Sequence, residues 1–323
     1  MAYLPRHVEG LRPWLDLVEQ IVVVDSFSND GTVDYLREHL RHLRVNFVSH
    51  PPGLYASWNH GIAQVTAPLT YIATVGDTIT RAGIETLVQA ANALACDVVV
   101  SKPDFVAPEG SALPDIPWPV DDIIATLGIA APRRLHKLEA LVFAAVHVNG
   151  ALTGSCASCV YRTATLRLFP FPTEFGTVGD GAWGVMHAAE IAWGVVPGRC
   201  SIFLKHPPSV SDVDKRSYAQ SRRMDEVLAA TVLRWLASGA VTQRELETIG
   251  WLDLFQAVTR HTETKVLFDR RRSAAWPWWL NSAAWGERIR RQRARTRLAG
   301  VKAAALRRIA DACESRTKPG FPA

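Results

Sequence analysis

Two aspartates stand where chemistry is expected. Asp25 closes the β-branched run Ile21–Val24 and is followed by SFSNDGT. An Asp at a strand end, over the edge of a sheet, can accept hydrogen bonds from a nucleobase or ribose, and small polar residues after it let a ligand come close. The same residues also suit a plain strand-to-helix connection with Asp30 or Thr32 near the helix cap. Asp77 ends YIATVGD, directly after Gly76. Cys156 and Cys159 have the spacing of a metal or redox pair, but no second CxxC or His pair accompanies them, so a metal role is not assigned.

The elements that must position these residues alternate. IVVV (21–24) predicts a strand, and residues 32–43 a helix. VNFVS (45–49) predicts a second strand, and PPG (51–53) breaks the chain before a helix over 55–65. A third strand is expected over 69–75, ended by Gly76 and Asp77. A helix over 82–95 then leads to a fourth strand at 97–101. Strands alternating with helices at this spacing predict a parallel α/β sheet with ligands at the carboxyl ends of the strands. Beyond Pro103 the rhythm changes. Helices are expected over 122–127, 133–148 and 181–190, and short strands at 159–161 and 201–204. From Arg222 the pattern is helical, with Thr242 and Glu245 spaced as a capping box.

The order VVVDSFSNDGT, GLYASWNHGIAQVT, YIATVGDT resembles the family 2 glycosyltransferases. The resemblance covers residues 3–101 well and 150–210 more loosely. It implies a GT-A fold, a mostly parallel sheet flanked by helices, followed here by a helical C-terminal region. The implied divisions are a nucleotide-sugar-binding half (1–101), an acceptor-side half (102–215), a helical extension (216–269) and a basic tail (270–323). By the resemblance Asp25, Ser26, Asp30, Tyr55, Asn59, Gly76 and Asp77 contact the nucleotide sugar. Asp77 also holds Mn²⁺ or Mg²⁺, with His206 as a second ligand and Lys205 as an alternative contact to the diphosphate. A hard cation held by one or two carboxylates and substrate phosphates suits this arrangement. Transfer with inversion needs a general base, and Asp180, before Trp183, is its candidate; the N-cap of the following helix is the other reading. Asn59 and His60 have capping or surface roles as their alternative. Gly154 and Ser155 would line the acceptor side by backbone.

The sequence departs from the family pattern at Ala56, where Asp is usual, and at Gly76 and Thr78, where a second acid often stands beside Asp77. These departures keep a non-catalytic sugar-nucleotide-binding relative open beside the transferase. A nucleotidyltransferase lacks support, because no Gly-rich loop bearing Lys or Arg is visible near the start. Family members also open with a strand of the type xxSIVIPTYN ahead of the helix that begins near Met1. The expectation is therefore a reading frame that extends upstream, or a sheet interrupted at that place.

Composition sets the remaining limits. The 323 residues, 48% hydrophobic and 21% charged, suit a globular chain with a large core. Five scattered cysteines do not form a disulfide framework and suggest reduced thiols in a cytoplasmic setting. No apolar run is long enough to span a membrane. The net charge of +5 divides into +11 from Arg270 onward and −6 before it. Trp276, Trp278, Trp279 and Trp285 adjoin the arginines, a composition that suits the surface of an anionic membrane, at the inner face of the cell membrane. A solvated basic helix is the plain alternative, and nucleic acid a weaker one. The partners read from the sequence are thus a nucleotide-sugar donor, a saccharide or lipid-linked acceptor, and an anionic membrane surface.

Overall fold

The computed structural model describes residues 3–147, 152–205, 218–272 and 282–317. The expected α/β class is found: a sheet with helices on both faces, followed by helices. Strands β1 (Ile21–Asp25) and β2 (Val45–Ser49) pair in parallel, with Asp25 opposite Ser49. Six more strands form a second sheet. They are β3 (Leu69–Tyr71), β4 (Thr78–Ile79), β5 (Val98–Val106), β6 (Arg133–Arg134), β7 (Cys159–Arg162) and β8 (Trp193–Leu204). Their order is β3-β7-β5-β8-β4, with β6 also on β8.

The strand directions differ from expectation. In the larger sheet only β5 and β8 run parallel, and the other pairs are antiparallel. The βα rhythm that predicts parallel strands holds only through the first hundred residues. After β5 the chain passes through two helices and β6 and returns along β7, antiparallel to β5. Two strands also differ in length. β3 stops at Tyr71, so Asp77 lies in a turn before β4, and β8 begins at Trp193 instead of residue 201.

Residues 4–17 are helical, α1 (Leu4–Leu11) and a 3-10 turn (Arg12–Leu17), and the sheet is divided between β1 and β3. An interrupted sheet at this place is one of the two outcomes expected from the sequence. α1 packs beneath the β3–β4 turn: Thr78 Oγ1 donates to the Gly10 carbonyl at 3.0 Å, and the His7 ring meets the Asp77 carbonyl at 3.0 Å.

Alternation along β5 assigns the two core layers. Val98 and Val100 point into the larger core with Trp183, Trp193 and the C-terminal helices, while Val99 points into a smaller one with α1, α2 (Thr32–His39) and α4 (Arg81–Ala93). α4 approaches β8 closely. Thr80 caps it, its Oγ1 accepting from Gly83 N at 2.9 Å, and a Cβ on Gly83 would lie 2.1 Å from the Cys200 carbonyl oxygen.

The expected helix over 133–148 divides into β6 and α6 (Lys137–Val146), α5 (Pro119–Leu127) precedes them, and α7 (Thr163–Leu168) follows β7. The expected capping box is present: Thr242 Oγ1 accepts from Glu245 N at 3.2 Å, and Thr242 N donates to Glu245 Oε2 at 2.9 Å. It opens the helix Gln243–Ile249, which Gly250 ends in a left-handed conformation, φ +66°. The long helix Ser282–Thr317 lies against Trp251–Arg272 and α6 and buries Leu298, Ala305, Leu306 and Ile309. No helix among the described residues is long and apolar enough to cross a membrane. All five cysteines are free thiols, four of them buried.

Candidate functional site

α3 (Leu54–Gln64) is the element that joins the candidate residues. It runs close to β1, where a Cβ on Gly61 would meet Val24 Cγ2 at 2.8 Å. Its first turns carry Tyr55, Ser57 and Asn59. The Ser57 and Ser26 hydroxyls are 3.5 Å apart, which brings α3 to the loop after β1. In that loop Asp25 Oδ2 accepts from Ser28 N at 3.0 Å, while Oδ1 takes no hydrogen bond from the described residues. Asp30 Oδ1 accepts from Thr32 N at 3.2 Å and from Thr32 Oγ1 at 2.6 Å. The Thr32 hydroxyl is the first of the contacts that hold its carboxyl down at about 2.

Two residues before Ser57, the buried Tyr55 reaches the opposite half of the chain. Its hydroxyl lies 2.9 Å from Asp180 Oδ1 and 3.1 Å from the Thr177 carbonyl. Asp180 is the second residue of α8 (Gly179–Met186), and Val178 is the cap, so the N-cap reading of Asp180 does not hold. Oδ1 also accepts from Gly181 N at 2.8 Å. Burial pushes the Asp180 carboxyl up, and the Tyr55 and Gly181 hydrogen bonds partly oppose it. Burial, then the nearby Asp180 charge, pushes the Tyr55 phenol up, so Tyr55 keeps its proton and donates. The fit is close, since a Cβ on Gly179 would fall 2.4 Å from the Tyr55 ring.

Asn59 makes a double contact with the Phe171 backbone: Nδ2 donates to the carbonyl at 2.8 Å, and Oδ1 accepts from N at 2.9 Å. Its amide is thereby occupied in fastening α3 to the segment before α8. His60 lies on the same helix, its ring 5.0 Å from that of His50.

Asp77 is buried in the β3–β4 turn after Gly76, which takes φ +109°. Both carboxylate oxygens are engaged. Oδ2 accepts from Thr74 Oγ1 at 2.9 Å and Oδ1 from Leu204 N at 3.0 Å. Burial raises the carboxyl to about 6 against these two hydrogen bonds. Each oxygen retains a second lone pair, so Asp77 can serve as one ligand of a hard cation shared with substrate phosphates. Among the described residues no group of three or more His, Cys, Asp or Glu could hold a metal by protein atoms alone. His206, the other expected ligand, lies outside the described residues, as do Trp276, Trp278 and Trp279. Lys205 is exposed just beyond β8.

The Cys156 thiol is pushed well up, by burial first and then by the Asp180 and Asp77 charges. Beside it Ser155 turns the chain, its Oγ accepting from Ala157 N at 3.3 Å. Gly154, with φ +64°, packs beneath Trp118, where a Cβ would meet the indole nitrogen at 2.2 Å. Thr74, His7 and Leu204, which fix Asp77, went unrecognised in the sequence, because a backbone partner 127 positions away leaves no local pattern.

Residues 2–118 match the family described as "Glycosyl transferase family 2". No curated protein matches it. Similar solved structures come from S. aureus TarS. TarS 1-349 in complex with UDP is 14% identical, covers 99% of this chain and 91% of its own, and has a TM-score of 0.48. The UDP-GlcNAc complex gives 14%, 94%, 88% and 0.48. The longer TarS chain gives 14%, 94%, 52% and 0.47.

Proposed function

We propose that this protein transfers a sugar, with inversion, from a nucleoside-diphosphate sugar to a hydroxyl of a saccharide or lipid-linked acceptor. The observation that carries this reading is the Tyr55–Asp180 hydrogen bond, which ties the nucleotide-side helix to a partly buried carboxylate across 125 positions of chain. In the proposed reaction the acceptor oxygen forms a bond to the sugar carbon as the bond from that carbon to the diphosphate breaks. The acceptor proton passes to Asp180, and the nucleoside diphosphate leaves. A carboxylate whose affinity for a proton is raised by burial is better matched to that role than an exposed one.

Asp25, Ser26 and Asp30 form the nucleotide side, with Tyr55, Asn59 and Gly76 shaping the floor and Asp77 facing the diphosphate. Asp77 would hold Mn²⁺ or Mg²⁺ together with the donor phosphates, His206 being its proposed companion. The cation's chemistry there is neutralisation of the leaving diphosphate. The proposed division keeps 1–101 for the donor, 102–215 for the acceptor and 216–269 as a helical extension. Residues 270–323 form the part that meets an anionic membrane surface on the cytoplasmic side. Exposed Arg288, Arg293, Arg295 and Arg297, with exposed Trp285 and Ile289, support that last reading.

Asp77 has no second acid beside it and both its oxygens are engaged, which favours a second reading, a relative that binds the sugar nucleotide without transfer. Release of nucleoside diphosphate on mixing UDP- and GDP-sugars with oligosaccharide or polyprenyl-phosphate acceptors tests the first. Donor binding without release in every combination would leave the second.

A further inference from the structure

One exposed aromatic is held at a conformational cost. Phe27, two residues after Asp25, has φ +61°, in the left-handed region, and is 63% exposed. A bulky side chain in that region is strained. A buried ring would offset this through packing, but Phe27 leaves most of its surface in water. The loop conformation is fixed by other residues: Asp25 accepts from Ser28 N, and Asp30 from Thr32 N and Oγ1. The left-handed residue is thus imposed by the loop, and nothing in folding calls for a phenyl ring there.

The placement supplies a reason. Phe27 follows the carboxyl end of β1, beside the parallel β2, where ligands of such sheets bind. It adjoins Asp25, whose Oδ1 is left to accept from a ligand. We infer that Phe27 is a nucleobase-stacking residue, its ring against the face of the base while Asp25 accepts from N–H groups on the base edge. An aromatic ring and an acceptor two residues apart address the two surfaces that a planar heterocycle offers. The inference rests on the nucleotide-sugar reading and goes beyond it in naming what holds the base.

The test is calorimetric titration of UDP and GDP into the full chain and its Phe27→Gly, Phe27→Asn and Phe27→Tyr variants, with thermal unfolding of each. Gly and Asn tolerate φ above zero, so both variants should unfold no lower than the wild type while binding the preferred nucleotide about tenfold more weakly. Phe27→Tyr should keep the wild-type affinity. Equal affinity of wild type, Phe27→Gly and Phe27→Asn would overturn the stacking role and leave the nucleotide reading standing. Failure of the wild type to bind either nucleotide would overturn both.

Discussion

Asp77 carries a cost that its position in the fold imposes. Its carboxyl is raised from 3.8 to about 6 by burial. Below the unfolded value both states are protonated and no cost arises. As pH rises from there through 6, the unfolded chain releases its proton first, so stability falls. Above 6 the full penalty of about 3 kcal/mol is present. Asp77→Asn is therefore expected to unfold at a higher temperature than wild type at pH 8, with little difference near pH 4, and to bind donor more weakly in Mn²⁺. Melting curves at the two pH values check the sign. Asp180 should fail differently. Asp180→Asn is expected to keep donor affinity and lose roughly 10²-fold in turnover, the usual size of a general-base contribution. Because the Tyr55 hydrogen bond lowers the Asp180 pKa, Tyr55→Phe should move the acidic limb of the kcat–pH profile to higher pH. An unmoved limb would place the base elsewhere.

At the scale of elements, α3 matters most, because it contacts β1 on one side and the segment before α8 on the other. Asn59 makes the second attachment with both of its amide atoms. Asn59→Ala would leave the Phe171 N–H and carbonyl without these partners, at a cost of about 1–3 kcal/mol each if they stay buried. The expected result is a loss of about 2 kcal/mol in urea unfolding. A fall in turnover larger than the change in donor affinity should accompany it, since Tyr55 and Asp180 would no longer be held in register. Unchanged stability would show that water replaces the amide.

The whole molecule joins an acidic body to a basic helix by packing and by charge. Lys302 donates to Asp122 Oδ2 at 2.7 Å, and the His147 ring meets the same carboxylate at 2.8 Å. These contacts and His147, with Lys302 the leading hydrogen-bonding cation after it, keep the partly buried Asp122 well below the usual carboxylate range, against the upward pull of burial. A chain ending at Asp269 would remove Leu298, Ala305 and Ile309 from the larger core, so deletion is a poor test of the membrane reading. Substitution of the exposed face is better. With Arg288, Arg293, Arg295 and Arg297 all changed to Gln, sedimentation with phosphatidylglycerol vesicles in 0.05 M salt is expected to fall by 10²-fold or more, at roughly 1 kcal/mol per arginine. Sedimentation unaffected by the substitutions, or equal on phosphatidylcholine, would remove that reading. Preferential binding to an oligonucleotide would replace it with nucleic acid.

The sequence by itself determined several of the local elements and the resemblance of the first hundred residues to a family. Runs such as IVVV and VNFVS are β-branched and bounded by turn residues, Thr242 and Glu245 announce their own helix start, and three ordered motifs carry the family resemblance of the first hundred residues. Such signals act within a few positions, which is why they can be read along the chain. Tertiary structure alone decided the rest. The mixed strand directions follow from how the chain returns after β5, and β8 outgrew its expected length because β5 supplies a partner along most of it. The attachment of Tyr55 to Asp180, of Asn59 to Phe171 and of Leu204 to Asp77 joins residues 112 to 127 positions apart. Burial, which raises both acids, exists only after two layers close over the sheet. No periodicity or spacing encodes such contacts, because they depend on which faces meet when the core forms.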